Sequence, residues 1–233
     1  MKCWICGHKA TSGEHHIKNS DLKRLFPNVS QKLPICHKKN GDKRKPIGST
    51  KSDTFKFDAL LCEKCNNSKT QASDLAWGKL SKFLSDNWVE IKKLKMISLY
   101  DVFGDEWEKK MILVQLYFTK IFGCKIAESN APIDLHMFSL SILNIMEHPS
   151  LHISFRDSEK KTNYACLSDI EIYSKNKDIV YAHLFYTVGN ITIDILYYEQ
   201  GIEAINLNGA LKPSCMKQNL QLSELNYDQE YGE

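Results

Sequence analysis

The chain of 233 residues is 42% hydrophobic and 25% charged, which is ordinary globular usage and excludes a disordered, collagen-like or coiled-coil protein. Its apolar runs are too short to span a bilayer, and it begins without the apolar stretch of a secretory signal, so we expect a cytoplasmic protein with no membrane segment. The formal net charge of +3 is divided unevenly, since residues 1–100 carry +11 and residues 101–233 carry −8. A basic half favours contact with a polyanion such as nucleic acid, although a lopsided solvated surface would give the same numbers.

Four of the eight cysteines form two tight pairs, Cys3 with Cys6 and Cys62 with Cys65. Two intervening residues let both thiolates of a pair reach one ion at about 2.3 Å, so the two pairs predict a tetrahedral four-cysteine Zn²⁺ site. A closed site of this kind leaves no position for a substrate, and we therefore expect the zinc to be structural. The alternatives are a redox C-x-x-C motif and a disulfide framework.

The two pairs are separated by the 55 residues from Gly7 to Leu61, whereas a plain zinc ribbon closes over roughly 15 to 20. The inserted segment contains the run Glu14-His15-His16-Ile17, an exposed loop expected at residues 36–51, and a strand expected at residues 55–61. Its many cations fit contact with phosphates, or simply keep a flexible loop soluble. They are Lys18, Lys23, Arg24, Lys38, Lys39, Lys43, Arg44 and Lys45.

The second cysteine pair is followed by Asn66-Asn67-Ser68-Lys69-Thr70 and then by apolar residues that recur mostly at spacings of three and four. This spacing predicts one side of a helix. The apolar residues are Leu75, Leu80, Phe83, Leu84, Trp88, Ile91 and Leu94.

The order of these motifs, a C-x-x-C pair, an acid-His-His-Ile run and Leu-Cys-x-x-Cys-Asn-Asn-x-Lys-Thr, resembles the HNH endonucleases of the His-Me finger (ββα-metal) superfamily over about residues 3–78. The resemblance implies a zinc-stapled ββα-metal (HNH) module at residues 1–78, and the apolar periodicity predicts a connecting helix at residues 79–97. It also implies hydrolysis of phosphodiester bonds in DNA by a water that a histidine activates, with a hard divalent cation, Mg²⁺ or Mn²⁺, on the scissile phosphate.

The resemblance gives Glu14 the role of a catalytic metal ligand and His15 that of the general base, since an acidic residue directly before the base is a common form of the motif. A shift by one position would instead make His15 the ligand and His16 the base. Adjacent residues on a strand point to opposite faces, so only one of the two histidines can be the base.

Asn66 matches the position of the final metal ligand at the start of the helix, although asparagine is also a favoured helix N-cap. The middle asparagine of the family, which orients the loop between the strands, has no clear counterpart. Asp58 lies in that region, and an ionised carboxylate accepts hydrogen bonds but cannot donate them. The predicted nucleic-acid contacts are Lys18, Lys23, Arg24 and Lys69.

The sequence pattern of residues 98–233 predicts a second domain of the α+β class, with two helices on an antiparallel sheet. The helices are expected at residues 105–122 and from Pro132 to before Pro149. A strand is expected at residues 151–156, and a hairpin is expected at 179–187 and 191–198. This acidic part carries no second catalytic signature, and a protein partner or a homodimer through it is one expectation.

The sequence thus predicts a metal-dependent DNA endonuclease with an α+β fold. The chief alternative is a zinc-supported nucleic-acid-binding or scaffold module without catalysis, which the missing middle asparagine favours. A redox or zinc-sensing regulator built on the two cysteine pairs is a third hypothesis.

Overall fold

A computed structural model describes residues 1–38, 43–58, 60–159, 163–175, 178–198 and 209–223. In this part of the chain, helices accompany antiparallel sheets, which confirms the predicted α+β class. Lys39, one of the predicted cations, lies outside the described residues.

The helices of the described residues are α1 (Asn19–Leu25), α2 (Gln71–Asp86), α3 (Trp88–Leu94), α4 (Leu99–Phe103), α5 (Trp107–Ser129) and α6 (His136–Asn144). The helical pattern predicted after the second cysteine pair corresponds to α2 and α3, which Asn87 separates. The two helices predicted in the second half correspond to α5 and α6. However, α6 begins at His136 rather than at Pro132, because Asp134 Oδ1 accepts a hydrogen bond from the His136 amide and so supports a later start.

The strands of the described residues are β1 (Ile35–His37), β2 (Lys45–Ile47), β3 (Met96–Ser98), β4 (Leu151–Asp157), β5 (Ala165–Leu167), β6 (Glu171–Lys175), β7 (Asp178–Val188), β8 (Ile191–Tyr198) and β9 (Asn219–Gln221). The main sheet has the order β4-β8-β7-β5, and β6 also pairs with β7. The predicted hairpin is confirmed as β7 and β8, whose last pair is Val188 with Ile191. Gly189 in its turn has a φ of +61°, a left-handed conformation that glycine adopts without steric cost.

The inserted segment differs from its prediction in two places. Strands β1 and β2 pair within the region that was expected to be an exposed loop. Of the strand expected at residues 55–61, the described residues show isolated bridges at Lys56 and Leu61, and Ala59 lies outside the described residues. Residues 53–55 instead form a 3₁₀ turn, because Ser52 Oγ accepts a hydrogen bond from the Thr54 amide and so supports the turn.

Helix α5 lies at the centre of the core, and from Met111 to Ile126 it has buried residues around most of its circumference. It packs between α2 and the main sheet. The fully buried Trp77 of α2 meets the ring of Phe118 at a centroid distance of 4.8 Å and that of Tyr186 in β7 at 5.6 Å. Burial of these large rings supplies much of the apolar contact that joins the two halves of the chain.

A buried carboxylate joins α1 to α2 and β7. Asp21 accepts hydrogen bonds from Trp77 Nε1 at 3.0 Å, Ser81 Oγ at 2.8 Å and Tyr186 Oη at 3.2 Å, and it forms an ion pair with Arg24 at 2.9 Å. Because these donors satisfy both of its oxygens, the buried charge stabilises this packing rather than opposing it.

The N-terminal cysteine pair also packs on the second half of the chain. The Trp4 ring lies against Gly123 of α5, and its Nε1 donates to Cys124 Sγ at 3.5 Å. Helix α2 spans the predicted boundary at residues 78–79, and residues on both sides of it belong to one apolar cluster. The division into residues 1–78, 79–97 and 98–233 stays a prediction.

Candidate metal and catalytic site

The four paired cysteines meet at one point. The Sγ atoms of Cys3, Cys6, Cys62 and Cys65 all lie within 4.8 Å of one another, and those of Cys6 and Cys62 are 3.5 Å apart. Tetrahedral coordination with Zn–S bonds of about 2.3 Å places the sulfurs about 3.8 Å apart. The observed distances are close to this value, so the cluster could hold a zinc ion. A set of four thiolates selects zinc over hard ions such as Mg²⁺.

The four thiols differ in their pKa values, and burial raises those of Cys6 and Cys65. The Cys65 amide donates to Cys62 Sγ at 3.4 Å and lowers the pKa of the Cys62 thiol to about 7. His8 Nδ1 lies 3.3 Å from Cys6 Sγ. At Gly7 a φ of +75° turns the chain back, so that its amide donates to the Cys3 carbonyl at 2.8 Å. These contacts turn the chain so that Cys3 and Cys6 face the same point.

A short antiparallel frame carries residues 14–16 next to this cluster. Ser12 bridges to Leu61, which directly precedes Cys62. Farther along, the Phe57 amide donates to the Glu14 carbonyl at 2.8 Å, and His15 forms a single bridge to Lys56. The frame therefore joins the candidate catalytic residues to the metal cluster through the backbone.

The side chain of Glu14 forms an ion pair with α5. Lys120 Nζ lies 2.9 Å from Glu14 Oε2, 2.8 Å from Asp74 Oδ1 and 3.4 Å from Thr70 Oγ1, and the Lys120 side chain is fully buried. Burial raises the pKa of Glu14, because it disfavours the charged carboxylate. The charge of Lys120 opposes this shift, and the charge of Asp74 adds to it. Burial alone would lower the pKa of Lys120, because it disfavours the charged ammonium. The charges of Glu14 and Asp74 outweigh this effect, so the pKa of Lys120 is raised. Glu14 is predicted to bind a catalytic cation, and one of its carboxylate oxygens is already engaged by Lys120.

The two histidines have different surroundings. Burial, with a smaller contribution from the charge of Lys56, lowers the pKa of His15 to about 4. Its ring is therefore neutral at physiological pH, as a general base requires. His16 meets the ring of Phe57 edge-on at 4.4 Å, and its Nε2 lies 4.0 Å from Glu128 Oε1 of α5.

Asn66 lies in the π-helical turn that precedes α2, and its Nδ2 donates to Ser12 Oγ at 2.8 Å. The N-cap of α2 is Thr70, so the alternative role of Asn66 as that cap is wrong. Asn66 Oδ1 is buried and has no hydrogen-bond partner among the described residues, and the same is true of Nε2 in both His15 and His16. Buried polar atoms are normally paired, so these three atoms are free to contact a bound water or ion. Five further buried atoms, at Asn19, Arg24, Ser141, His148 and His152, also lack a hydrogen-bond partner among the described residues, and the three site atoms differ from them in lying on residues that the sequence motifs single out.

The predicted nucleic-acid contacts are not equivalent. Arg24 is engaged with a buried aspartate and with a serine of α2, whereas Lys23 and Lys69 are exposed. The half-buried Lys18 extends over Gly78. Asp58 is exposed. The roles assigned to these five residues stay predictions.

Sequence analysis missed Lys120, which is the residue of the second half that contacts the frame most directly. Its signal was a cation in the middle of the mostly apolar stretch of α5 from Met111 to Cys124. A lysine at such a position is buried only with charged partners. The partners lie far away in sequence, so they could not be identified without the fold.

Comparisons with protein-family models, with curated proteins and with solved structures find no match for this chain. Of the helices in the described ranges, none is both long enough and apolar enough to cross a membrane. Fold and site therefore define an α+β protein in which a four-cysteine cluster that could hold a metal ion lies near two histidines and an asparagine.

Proposed function

We propose that this chain is a metal-dependent endonuclease of the HNH type that hydrolyses phosphodiester bonds in DNA. The observation that supports it most is the set of three unpartnered buried atoms, His15 Nε2, His16 Nε2 and Asn66 Oδ1. These atoms belong to residues that the sequence motifs single out. His15 and His16 lie on the frame, and Asn66 directly follows Cys65 of the cysteine cluster.

Two metals have separate roles in this proposal. Zn²⁺ in the cysteine cluster fixes the start of the helical segment against the frame. Mg²⁺ or Mn²⁺ would bind at Asn66 and Glu14, and it would stabilise the charge that builds on the phosphate and on the leaving oxygen. The oxygen of Asn66 fits this role because it has no partner among the described residues, whereas Glu14 must share its carboxylate with Lys120.

The base in this proposal is His15. Its neutral ring accepts the proton of the attacking water at Nε2, which a protonated imidazole could not do. In the alternative alignment His15 binds the cation and His16 is the base. Both versions use a ring nitrogen that has no hydrogen-bond partner among the described residues.

DNA is the proposed substrate because the first half of the chain carries a charge of +11. The exposed Lys23 and Lys69 would contact phosphates, which positions the backbone without reading its sequence.

Cleavage of supercoiled plasmid by the zinc-loaded protein tests the proposal, with Mg²⁺, with Mn²⁺ and without added cation. We expect nicking that requires the cation and that falls by about 10²- to 10⁴-fold in whichever of His15→Ala and His16→Ala removes the base. Asn66→Ala should also lower cleavage at unchanged zinc content. His136→Ala, at an exposed position on α6, is the matched control. Unaltered cleavage by all three site variants would overturn the assignment.

The second candidate is a zinc-supported nucleic-acid-binding or scaffold module that does not cut. The ion pair between Glu14 and Lys120 favours it, because a protein cation occupies an oxygen that a catalytic metal would use. Asp58 in place of the middle asparagine favours it as well. In that case the wild-type protein binds DNA and one zinc ion but cuts nothing with either Mg²⁺ or Mn²⁺.

A further inference from the structure

A cavity of about 780 Å³ opens beside the candidate catalytic residues. Residues of the inserted segment between His16 and Phe55 form one wall, and residues 163–167, which include β5, form the other. His16 lines the cavity, whereas Glu14, His15 and Asn66 do not, so the cavity adjoins the site on the side of the alternative base. A volume of this size is typical of pockets that accept small organic ligands.

The lining combines apolar and aromatic surface with positive charge. Phe26, Leu33 and Tyr164 contribute apolar surface, and Leu33 is 64% exposed. Lys38 and Arg44 also line the cavity, and both are exposed. Among the described lining residues there is no aspartate or glutamate. The cavity is therefore suited to a ligand that has flat apolar faces and negative charge.

We propose that this cavity binds an unpaired stretch of nucleic acid next to the bond that is cut, so that the substrate is single-stranded or locally unwound. The proposal rests on the proposed function and names its substrate class. The faces of unpaired bases can stack on Tyr164 and Phe26, while Lys38 and Arg44 contact the phosphates on either side.

A fully paired duplex fits this cavity poorly. Its bases are already stacked on one another and present only their edges and the backbone to a protein. Its base faces are covered, so they cannot stack on the aromatic side chains of the two walls. The apolar lining would then stay exposed to water, whereas an unpaired strand covers it.

Binding of a fluorescently labelled oligothymidine, measured by anisotropy without added divalent cation, tests the proposal. The competitor is the duplex of the same length formed with oligoadenosine. We expect the single strand to bind at least about tenfold more tightly than the duplex. Equal or tighter binding of the duplex would overturn the proposal.

Substitution of a residue that lines the cavity tests whether the strand binds there. We expect Tyr164→Ala to weaken oligothymidine binding about tenfold, the amount that loss of one stacked base causes. Tyr100→Ala, at an exposed position on α4, is the matched control and should bind like the wild type. Equal affinities for these two variants would show that the strand binds elsewhere.

The salt dependence gives a second measurement. Lys38→Ala with Arg44→Ala should reduce the slope of log K against log salt by about 1.4, since each lost contact with a single strand removes about 0.7. The control double variant, Lys82→Ala with Lys110→Ala, removes two exposed helix cations outside the cavity and should keep the slope. An acidic peptide that binds as tightly as the oligothymidine would instead identify the cavity as a protein-binding site.

Plasmid nicking separates the failure of this proposal from the failure of the proposed function. Binding that depends on Tyr164, in a protein that cuts nothing, would keep the cavity assignment and reject the endonuclease. Cleavage of fully paired DNA at an unchanged rate by the Tyr164→Ala protein would keep the endonuclease and reject the cavity assignment.

Discussion

Lys120 Nζ lies 2.9 Å from Glu14 Oε2, although 106 residues separate the two in sequence. The same ammonium lies 2.8 Å from Asp74 in α2. One cation of the central helix therefore fixes both the residue before His15 and the helix that follows Asn66. The geometry of the candidate site thus depends on the second half of the chain.

Lys120→Met should lower the free energy of unfolding by about 3–5 kcal/mol, because it leaves the carboxylates of Glu14 and Asp74 buried without a counter-charge. Urea denaturation of the zinc-loaded protein measures the change. Lys110→Met is the control, since Lys110 forms an exposed pair with Glu106 at 3.4 Å, and its loss should cost less than about 1 kcal/mol.

A triple variant separates the charge effect from lost packing. Adding Glu14→Gln and Asp74→Asn to Lys120→Met removes the unpaired charges, and it should restore more than half of the lost stability. A triple variant that is less stable than Lys120→Met alone would contradict the ion-pair account.

The sequence was sufficient for the local parts of this site. Spacing alone predicted the cysteine cluster, because ligands two residues apart reach one ion whatever surrounds them. The hairpin of β7 and β8 followed from apolar residues around a Gly-Asn turn. Trp77 was not predicted as a core residue, and Leu75, which was placed on the apolar face, is 67% exposed. The periodicity identified a helix but not which side α5 would cover, since that depends on a partner far away in the chain.

Stability should also depend on pH through His148, whose Nδ1 accepts a hydrogen bond from the Ser150 amide at 3.2 Å. Burial, with a smaller contribution from His152, lowers the pKa of His148 to about 4. The unfolded chain binds this proton near pH 6.5 and the folded one near pH 4. The stability that the neutral His148 contributes is therefore fully present above pH 6.5. It is lost as the pH falls towards 4, which lowers the free energy of unfolding by up to about 3 kcal/mol.

Urea midpoints of the wild type and of His148→Gln between pH 7 and pH 4 check this. Carboxylates titrate in the same range, so the informative quantity is the difference between the two proteins. His148→Gln should lose less stability on acidification than the wild type does, whereas His136→Gln, at an exposed position, should follow the wild type. Parallel curves for wild type and His148→Gln would show that His148 is not the titrating group.

Zinc should be required for folding of the first half. Cys62→Ser removes one of four thiolates, and we expect loss of bound zinc and a fall in stability of several kcal/mol, on the order of what structural zinc sites contribute. Zinc content and thermal unfolding measure this. Cys36→Ser is the matched control, because Cys36 is exposed and lies outside the cluster. A folded, zinc-free Cys62→Ser protein with wild-type stability would contradict a structural role.

Two glycine-to-alanine variants test how closely the first cysteine pair packs on α5. A Cβ at Gly123 would lie 2.5 Å from Cη2 of the Trp4 ring, so Gly123→Ala must displace the ring, at a cost of about 1–3 kcal/mol. A Cβ at Gly78 in α2 would meet only the flexible end of Lys18, at 3.2 Å. Both changes gain about 1 kcal/mol of helix propensity, so Gly78→Ala should be neutral or stabilising and Gly123→Ala destabilising. Urea denaturation of both variants decides this, because shifts of the same sign would mean that the Trp4 ring does not pack against α5 in solution.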